Sequence, residues 1–242
     1  HDVDRIQARI LEIVGQRGKM HNPVTGSGGM FIGEVAKIGS ALQDRDLKPG
    51  DRIASLVSLS LTPLRIDRIL AVHPALDRVD IEGQAILFES GVYARLPEDM
   101  DEKLALAALD VAGAPAQAAR LVKPGDSVLI LGANGKSGML VAYEAMKRVG
   151  PTGRVVGNVR TEANAKMLLE MGLVHEATRS DATNVLDFLG KVLEANHGRE
   201  YDVVINCVNV PNTEMASILP TREGGLVYFF SMATSFTKAA LG

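Results

Sequence analysis

One stretch, residues 127–157, constrains the fold more than any other part of this sequence. It begins with an apolar run at 127–131 and passes through a turn with glycines at 132, 135 and 138. Residues 139–149 have helical composition without a breaker, and a second apolar run follows at 153–157. This order predicts a buried parallel strand, a glycine-rich turn, a helix and a second strand.

The glycine spacing in that turn, G-x-x-G-x-x-G, is a variant of the fingerprint of dinucleotide-binding turns. One glycine permits a tight turn, one lets backbone N–H groups approach a pyrophosphate, and one lets the helix pack closely on the strand. The first helical turn then presents unpaired donors to the phosphates. A plain surface loop is the alternative, but the flanking strands and helix favour a dinucleotide site. A Walker A loop is set aside, because two residues rather than four separate the first glycine from Gly135-Lys136.

The composition narrows the classes of function. The 242 residues suit one or two domains, and the net charge of −3 without a basic run argues against a nucleic-acid partner. The single cysteine, Cys207, cannot form a disulfide within the chain, which is typical of a reducing compartment such as the cytoplasm. No uninterrupted apolar run is long enough for a membrane span, and no signal peptide is visible.

Helices and strands continue to alternate after residue 157. A helical pattern at 164–171 is followed by a short strand near Val174 and a second helical pattern at 184–195. Strands at 202–208 and 225–230 come next. Such alternation predicts an α/β domain, a doubly wound parallel sheet of the Rossmann type, over residues 115–242. Cys207 falls inside one of its predicted core strands.

The N-terminal part, residues 1–114, has a different pattern. An amphipathic helix at 3–14 is followed by a loop at 19–29 that is rich in small residues. Short strands with turns come next, and an acidic helix start precedes an Ala/Leu-rich run at 104–109. The strands predict a small antiparallel barrel, and they fall at 31–39, 47–56, 85–89 and 92–96.

Several segments resemble the medium-chain dehydrogenase superfamily, which joins a GroES-like β-barrel catalytic domain to a Rossmann domain. Residues 33–39 and 48–53 look like its barrel signature. Residues 122–127, which lead into the glycine turn, and residues 222–227 resemble its nucleotide domain. The resemblance spans nearly the whole chain and implies this two-domain architecture.

A narrower resemblance is to the L-erythro-3,5-diaminohexanoate dehydrogenases of lysine fermentation, through residues 21–33, 53–64, 110–115 and 206–215. It implies oxidative deamination of a 3-amino group, giving 5-amino-3-oxohexanoate and ammonia, with hydride passed to a nicotinamide cofactor. The substrate would be a small diamino acid. Compared with that family, the chain is expected to be shortened at both ends.

No zinc is expected, although zinc members of the superfamily carry a His-Glu pair just before the glycine that matches Gly33. Gly29 and Met30 stand at those positions, and neither side chain ligates zinc. Cys207 belongs to the nucleotide domain rather than the barrel. The histidines are scattered, and a lone histidine is more often a surface residue than a ligand.

A site without a metal needs another group to take a proton from the substrate ammonium. Asp110 is the first candidate, because it lies between an apolar helix and the segment that crosses into the nucleotide domain, where burial would raise its pKa. Glu89 is the second. A helix-end carboxylate and an exposed strand end are the respective alternatives. Weaker candidates are His21, Thr25, Ser58 and Ser60.

Cofactor choice depends on the end of the second strand of the nucleotide domain. The acid that binds the ribose of NAD is replaced by Val159, and the neighbouring Arg160 is a cation able to meet a 2′-phosphate. These residues favour NADP, whereas the resemblance implies NAD, so both stay open. A solvated turn residue is the alternative for Arg160. The predicted cofactor contacts are Gly132, Ala133, Asn134, Gly135, Lys136, Ser137, Gly138, Asn158, Arg160 and Val208.

Two other functions fit the same pattern. A zinc-independent quinone or enoyl reductase would use NADPH and needs only an apolar pocket, whereas an amine dehydrogenase needs carboxylates for a dicationic substrate. A non-enzymatic NADP-binding relative is the third. Whatever the activity, residues 226–230 form an apolar strand suited to joining two copies edge to edge, which predicts a homodimer.

Overall fold

The computed structural model describes residues 2–24, 26, 28–56 and 62–230, so Thr25, Ser58 and Ser60 lie outside it. The chain divides into two compact units between Asp110 and Val111, slightly before the predicted domain boundary at residue 114. No helix of the described residues is both long and apolar enough to cross a membrane.

The first unit begins with helix α1, Val3–Arg17, which extends beyond the predicted end at residue 14. The Asp2 side chain caps its start by accepting a hydrogen bond from the Arg5 N–H at 3.2 Å. Gly18 ends it in the left-handed conformation with φ of +67°. Ile13 and Val14 are its buried residues, which confirms the amphipathic character read from the sequence.

Two antiparallel sheets follow in the described part of the first unit. Strands β1 (Met30–Glu34), β2 (Arg52–Leu56) and β5 (Tyr93–Arg95) form one in the order β1-β2-β5. Strands β3 (Leu64–His73) and β4 (Arg78–Ala85) form a separate hairpin. Short 3-10 turns lie at Ser40–Leu42 and Pro74–Leu76. The strands thus have the expected antiparallel arrangement, in two sheets.

The strand predicted at 85–89 is wrong, because β4 ends at Ala85 and the chain turns at Glu89. The β3–β4 hairpin was missed because its exposed positions carry charges, such as Arg68 and Glu82, which pair across the strands at 2.8 Å. Helix α2, Glu102–Leu109, then starts where the acidic signals predicted, with Asp101 accepting hydrogen bonds from two N–H groups of its first turn.

The second unit contains one parallel sheet in the order β10-β9-β6-β7-β8, which confirms the α/β prediction. Its strands are β6 (Ser127–Leu131), β7 (Arg154–Val159), β8 (Glu176–Arg179), β9 (Tyr201–Asn206) and β10 (Thr221–Phe229). Its helices are α3 (Gly113–Leu121), α4 (Lys136–Val149), α5 (Glu162–Glu170), α6 (Val185–Ala195) and α7 (Glu214–Ile218).

Strand β6 is the centre of this sheet and its side chains feed both cores. Val128 and Ile130 face one apolar cluster, whereas Leu129 and Leu131 face the other, which contains Phe188. All four strand residues have no exposed surface. The period of two explains why a central parallel strand is an unbroken apolar run.

The short strand predicted near Val174 is β8, which begins at Glu176. One strand end was predicted wrongly. Strand β9 ends at Asn206, so Cys207 and Val208 follow it rather than lying inside it. Helix α7 was missed, since five residues give too little periodicity to recognise.

Asp202 ties three strands together at the amino end of the sheet. Its Oδ2 accepts hydrogen bonds from the Ser127 N–H and hydroxyl, both at 2.8 Å, and its Oδ1 accepts one from Arg222 at 2.7 Å. Partial burial alone would raise the pKa of Asp202. The hydrogen bonds from Ser127 and Arg222 outweigh it, so the pKa lies below its ordinary value.

We expect Asp202→Asn to lower the free energy of unfolding at neutral pH by about 1 kcal/mol, because these charge-assisted hydrogen bonds weaken. A lowered pKa in the folded state means that the carboxylate stabilises the fold above about pH 4 and less as the pH falls further. Urea unfolding from pH 7 to pH 3 should show the difference from wild type shrinking. Asp187→Asn, which removes an exposed partner of Lys191, is the control. A difference that is constant with pH would contradict this role.

Candidate cofactor site

The turn between β6 and α4 has the geometry that its glycines predict. Gly132 follows β6 with φ of +74°, a conformation that side chains rarely adopt. The Gly135 N–H donates to the Gly132 carbonyl at 3.0 Å, which closes the turn, and α4 begins at the next residue. The chain therefore reverses in three residues.

Gly138 brings α4 against the end of β6. A Cβ on Gly138 would lie 2.2 Å from the Gly132 carbonyl oxygen and 2.7 Å from Ala133 Cα, both of which are backbone atoms. A Cβ on Gly132 would lie 2.9 Å from Val208 Cγ2. The tight turn and the close packing thus belong to Gly132 and Gly138, which leaves Gly135 for the approach of a ligand.

The start of α4 presents its donors at this turn. The Met139 N–H is bonded to the Gly135 carbonyl at 2.9 Å. The N–H groups in the first turn of an α-helix point toward its N-terminal end, which lies at this turn. Lys136 is exposed, Ser137 and Asn134 are half-buried, and Ala133 is fully buried, so Ala133 offers only its backbone. The missing Cβ atoms leave room beside this backbone, as in the glycine turns that bind a pyrophosphate.

The end of β7 carries the residues that should select the cofactor. Val159 is 1% exposed and belongs to the core, so no acid stands at the usual ribose position. Asn158 is buried too, and its Nδ2 donates to the Ser180 hydroxyl at 2.8 Å and to Thr178 Oγ1 at 3.3 Å. This side chain joins β7 to β8, and its predicted contact with the cofactor stays a prediction.

Arg160 follows directly, with 69% of its side chain exposed. Its Nη2 lies 3.2 Å from Oδ2 of Asp181, a residue just after β8. The N–H and hydroxyl of Thr183 donate to Asp181 Oδ1 at 3.0 and 2.7 Å. These hydrogen bonds, with a smaller effect from Arg160, lower the pKa of Asp181 below its ordinary value. Sequence reasoning missed Asp181, because only the fold brings it beside Arg160.

A polar cluster holds the segment after β9. Asn206 Nδ2 donates to Thr213 Oγ1 and Ser217 Oγ at 3.0 Å each, and its Oδ1 accepts the Val208 N–H at 2.9 Å. This fixes Val208 next to Gly132. Cys207 lies between Asn206 and Val208 in the chain, and burial raises the pKa of its thiol to about 12. The thiol therefore stays protonated and is a poor nucleophile.

The predicted cofactor contacts thus follow successive strands at one edge of the sheet. Gly132 follows β6, Arg160 follows β7 and Val208 follows β9, and the carboxyl ends of parallel strands lie at the same edge. The structure brings the glycine turn and Val208 together. It pairs Arg160 with Asp181, and it turns Asn158 inward.

The two predicted proton acceptors lie in the first unit. Asp110 is at the end of α2 and is exposed, so its predicted burial is wrong. Glu89 is exposed in its turn, and its carbonyl accepts a hydrogen bond from Arg45. His21 is half-buried, and its Nδ1 has no hydrogen-bond partner among the described residues. The roles of all three stay predictions.

The prediction of a site without a metal comes from the sequence. Among the residues that the structure describes, no group of three or more His, Cys, Asp and Glu side chains could hold a metal ion. Gly29 has φ of +74°, and Met30 begins β1. The metal-free site remains a prediction from these two substitutions.

Solved structures share the fold. A mycobacterial quinone oxidoreductase superposes with a TM-score of 0.63 at 22% identity, over 88% of this chain and 58% of its own. An alcohol dehydrogenase from Thermus sp. ATN1 gives 0.61 at 16% identity, over 95% of this chain and 70% of its own. These structures show that the fold is a shared one, a parallel sheet with helices preceded by antiparallel strands.

Sequence relatives are more specific. L-erythro-3,5-diaminohexanoate dehydrogenases from Acetoanaerobium sticklandii and Fusobacterium nucleatum are 68% and 64% identical to this chain along its whole length. The chain spans 71% and 70% of their lengths. The family model of the L-erythro-3,5-diaminohexanoate dehydrogenase N-terminal domain matches residues 1–97. The chain belongs to this family of dehydrogenases.

We expect Gly138→Ala to lower the free energy of unfolding by about 1 to 3 kcal/mol, because its Cβ would overlap the backbone of β6. Gly190→Ala is the matched control, since it lies in helix α6 with no atom within 4 Å of the added Cβ. That substitution should raise stability by about 0.5 to 1 kcal/mol. Urea unfolding measures both. Equal stability of the two variants would contradict the close packing of α4.

Proposed function

We propose that the protein catalyses NAD(P)-dependent oxidative deamination of L-erythro-3,5-diaminohexanoate to 5-amino-3-oxohexanoate and ammonia, a step of lysine fermentation. The turn at residues 132–138 carries this proposal, because its shape suits the pyrophosphate of a nicotinamide dinucleotide. The identity of 68% to a dehydrogenase named for that substrate supports the choice of reaction.

The reaction makes clear demands on the protein. When bound, the nicotinamide accepts the hydride from the carbon that bears the amine. Water supplies the ketone oxygen, and the amino nitrogen leaves as ammonia. The substrate ammonium must first lose a proton, for which Asp110 is the proposed acceptor and Glu89 the second candidate.

Asp110→Asn should lower kcat about a hundredfold without changing cofactor affinity, because the proton acceptor is lost. An unchanged kcat would exclude Asp110 as the acceptor.

A quinone or enoyl reductase is the second candidate. Its support is the fold shared with a mycobacterial quinone oxidoreductase, at a TM-score of 0.63 and 22% identity. The mycobacterial Rv1454c structure, a complex with NADPH, has a TM-score of 0.62 at 22% identity. Arg160 also supports an NADPH enzyme, since a guanidinium suits a 2′-phosphate. Between the two cofactors, we propose that NADP binds and that NAD is also accepted.

We also propose a cytoplasmic homodimer. Strand β10 forms one edge of the described sheet, and the side chain of its Phe229 is 44% exposed. An edge strand offers unpaired backbone groups to a second copy. Light scattering should give twice the mass of the chain at micromolar concentration, and a monomer would contradict the proposal.

Mixing the protein with L-erythro-3,5-diaminohexanoate and NAD or NADP should produce reduced nicotinamide, seen as a rise in its absorbance. A parallel reaction with NADPH and a quinone should show no consumption of NADPH. The reverse pattern would replace the dehydrogenase with the reductase. Binding of cofactor without turnover of either substrate would favour a non-enzymatic protein.

Arg160→Ala should weaken NADP binding about tenfold and leave NAD binding nearly unchanged, because only NADP carries the phosphate that Arg160 would meet. Fluorescence titration with each cofactor measures the ratio. Arg179→Ala is the control, since Arg179 is similarly exposed at the end of β8 and pairs with Glu162 at 3.7 Å. An unchanged ratio in Arg160→Ala would remove Arg160 from the cofactor site.

A further inference from the structure

Asp181 is held beside Arg160 by the fold of the second unit. The residue before it, Ser180, is bound to the end of β7 through its N–H, which donates to the Val159 carbonyl at 3.3 Å. The Ser180 hydroxyl and carbonyl accept hydrogen bonds from Asn158 Nδ2 at 2.8 and 3.4 Å. The backbone at residue 180 is therefore fixed to the end of β7, directly before Arg160.

The Asp181 carboxylate is also oriented without help from Arg160. Thr183 donates two hydrogen bonds to Oδ1, which leaves Oδ2 directed at the guanidinium. This matters because an exposed ion pair contributes little when both side chains must be ordered to form it. Here one partner is already ordered, so the carboxylate stays near Arg160 when the arginine moves.

The negative charge of Asp181 weakens the attraction of the Arg160 guanidinium for a phosphate. A 2′-phosphate would have to share the guanidinium with Asp181, and its own negative charge would lie close to that carboxylate. NAD carries hydroxyl groups at the same place and meets no such repulsion. Asp181 therefore acts against NADP and not against NAD.

We infer that Asp181 is a specificity-determining residue, which restrains the preference of Arg160 for a 2′-phosphate so that the protein accepts both cofactors. This inference rests on the proposed function, because it assumes that a nicotinamide dinucleotide binds at the turn of residues 132–138. It gives the pair of residues, rather than Arg160 alone, control over cofactor choice.

The test compares Asp181→Asn with wild type in the full chain, titrated with NAD and NADP at one low salt concentration. Asparagine keeps the size of the side chain and an oxygen for Thr183, but removes the charge. The NADP dissociation constant should fall about fivefold or more, with that of NAD changed less than twofold. Asp187→Asn is the matched control, since Asp187 is similarly exposed and pairs with Lys191 at 2.8 Å. Its ratio should equal that of wild type.

The double variant Arg160→Ala/Asp181→Asn separates the mechanism from general charge effects. If Asp181 acts through Arg160, adding Asp181→Asn to Arg160→Ala raises NADP affinity less than adding Asp181→Asn to wild type. A wild-type ratio in Asp181→Asn, with both cofactors bound, would overturn this inference and leave the proposed function intact. Failure of wild type to bind either cofactor would overturn the proposed function itself.

Discussion

The contact between α4 and the end of β6 is the interaction on which the second unit depends. It places the start of α4, with the positive end of the helix dipole, at the carboxyl edge of the sheet. A methyl group at Gly138 would meet the backbone of Gly132 and Ala133. The binding capacity of this edge therefore comes from the backbone, and the side chains around it adjust which ligand is preferred.

The sequence predicted the parts of the fold that repeat with a clear period. Central strand β6 was predictable because every residue of Val128–Leu131 is buried. Helix α4 was predictable because the glycine turn marks its start. The β3–β4 hairpin was not predictable, since charged residues that pair across its strands interrupt the alternation of apolar and polar positions. The end of β9 was misplaced at Val208, because Val208 still packs against an apolar cluster beyond the last strand residue.

The site was predictable only where it is local in sequence. The turn at residues 132–138 is one segment, and Arg160 follows a recognisable strand. Asp181 is separated from Arg160 along the chain, and parallel pairing of β7 with β8 brings the two together. The position of Asn158 in the sequence suggested a cofactor contact. In the structure its side-chain amide is buried and donates hydrogen bonds to Thr178 and Ser180 at the end of β8. The exposure of Asp110 likewise depends on how α2 ends, which no spacing rule specifies.

The half-buried thiol of Cys207 has a practical consequence. It is the only cysteine of the chain, and burial raises its pKa to about 12, so alkylating reagents should meet an unreactive sulfur in the folded state. Its N–H is bonded to the Leu131 carbonyl at 3.0 Å, beside the glycine turn. Alkylation of this native residue should accordingly be slow in the folded protein and faster in the unfolded chain, which gives a measure of unfolding with no engineered probe.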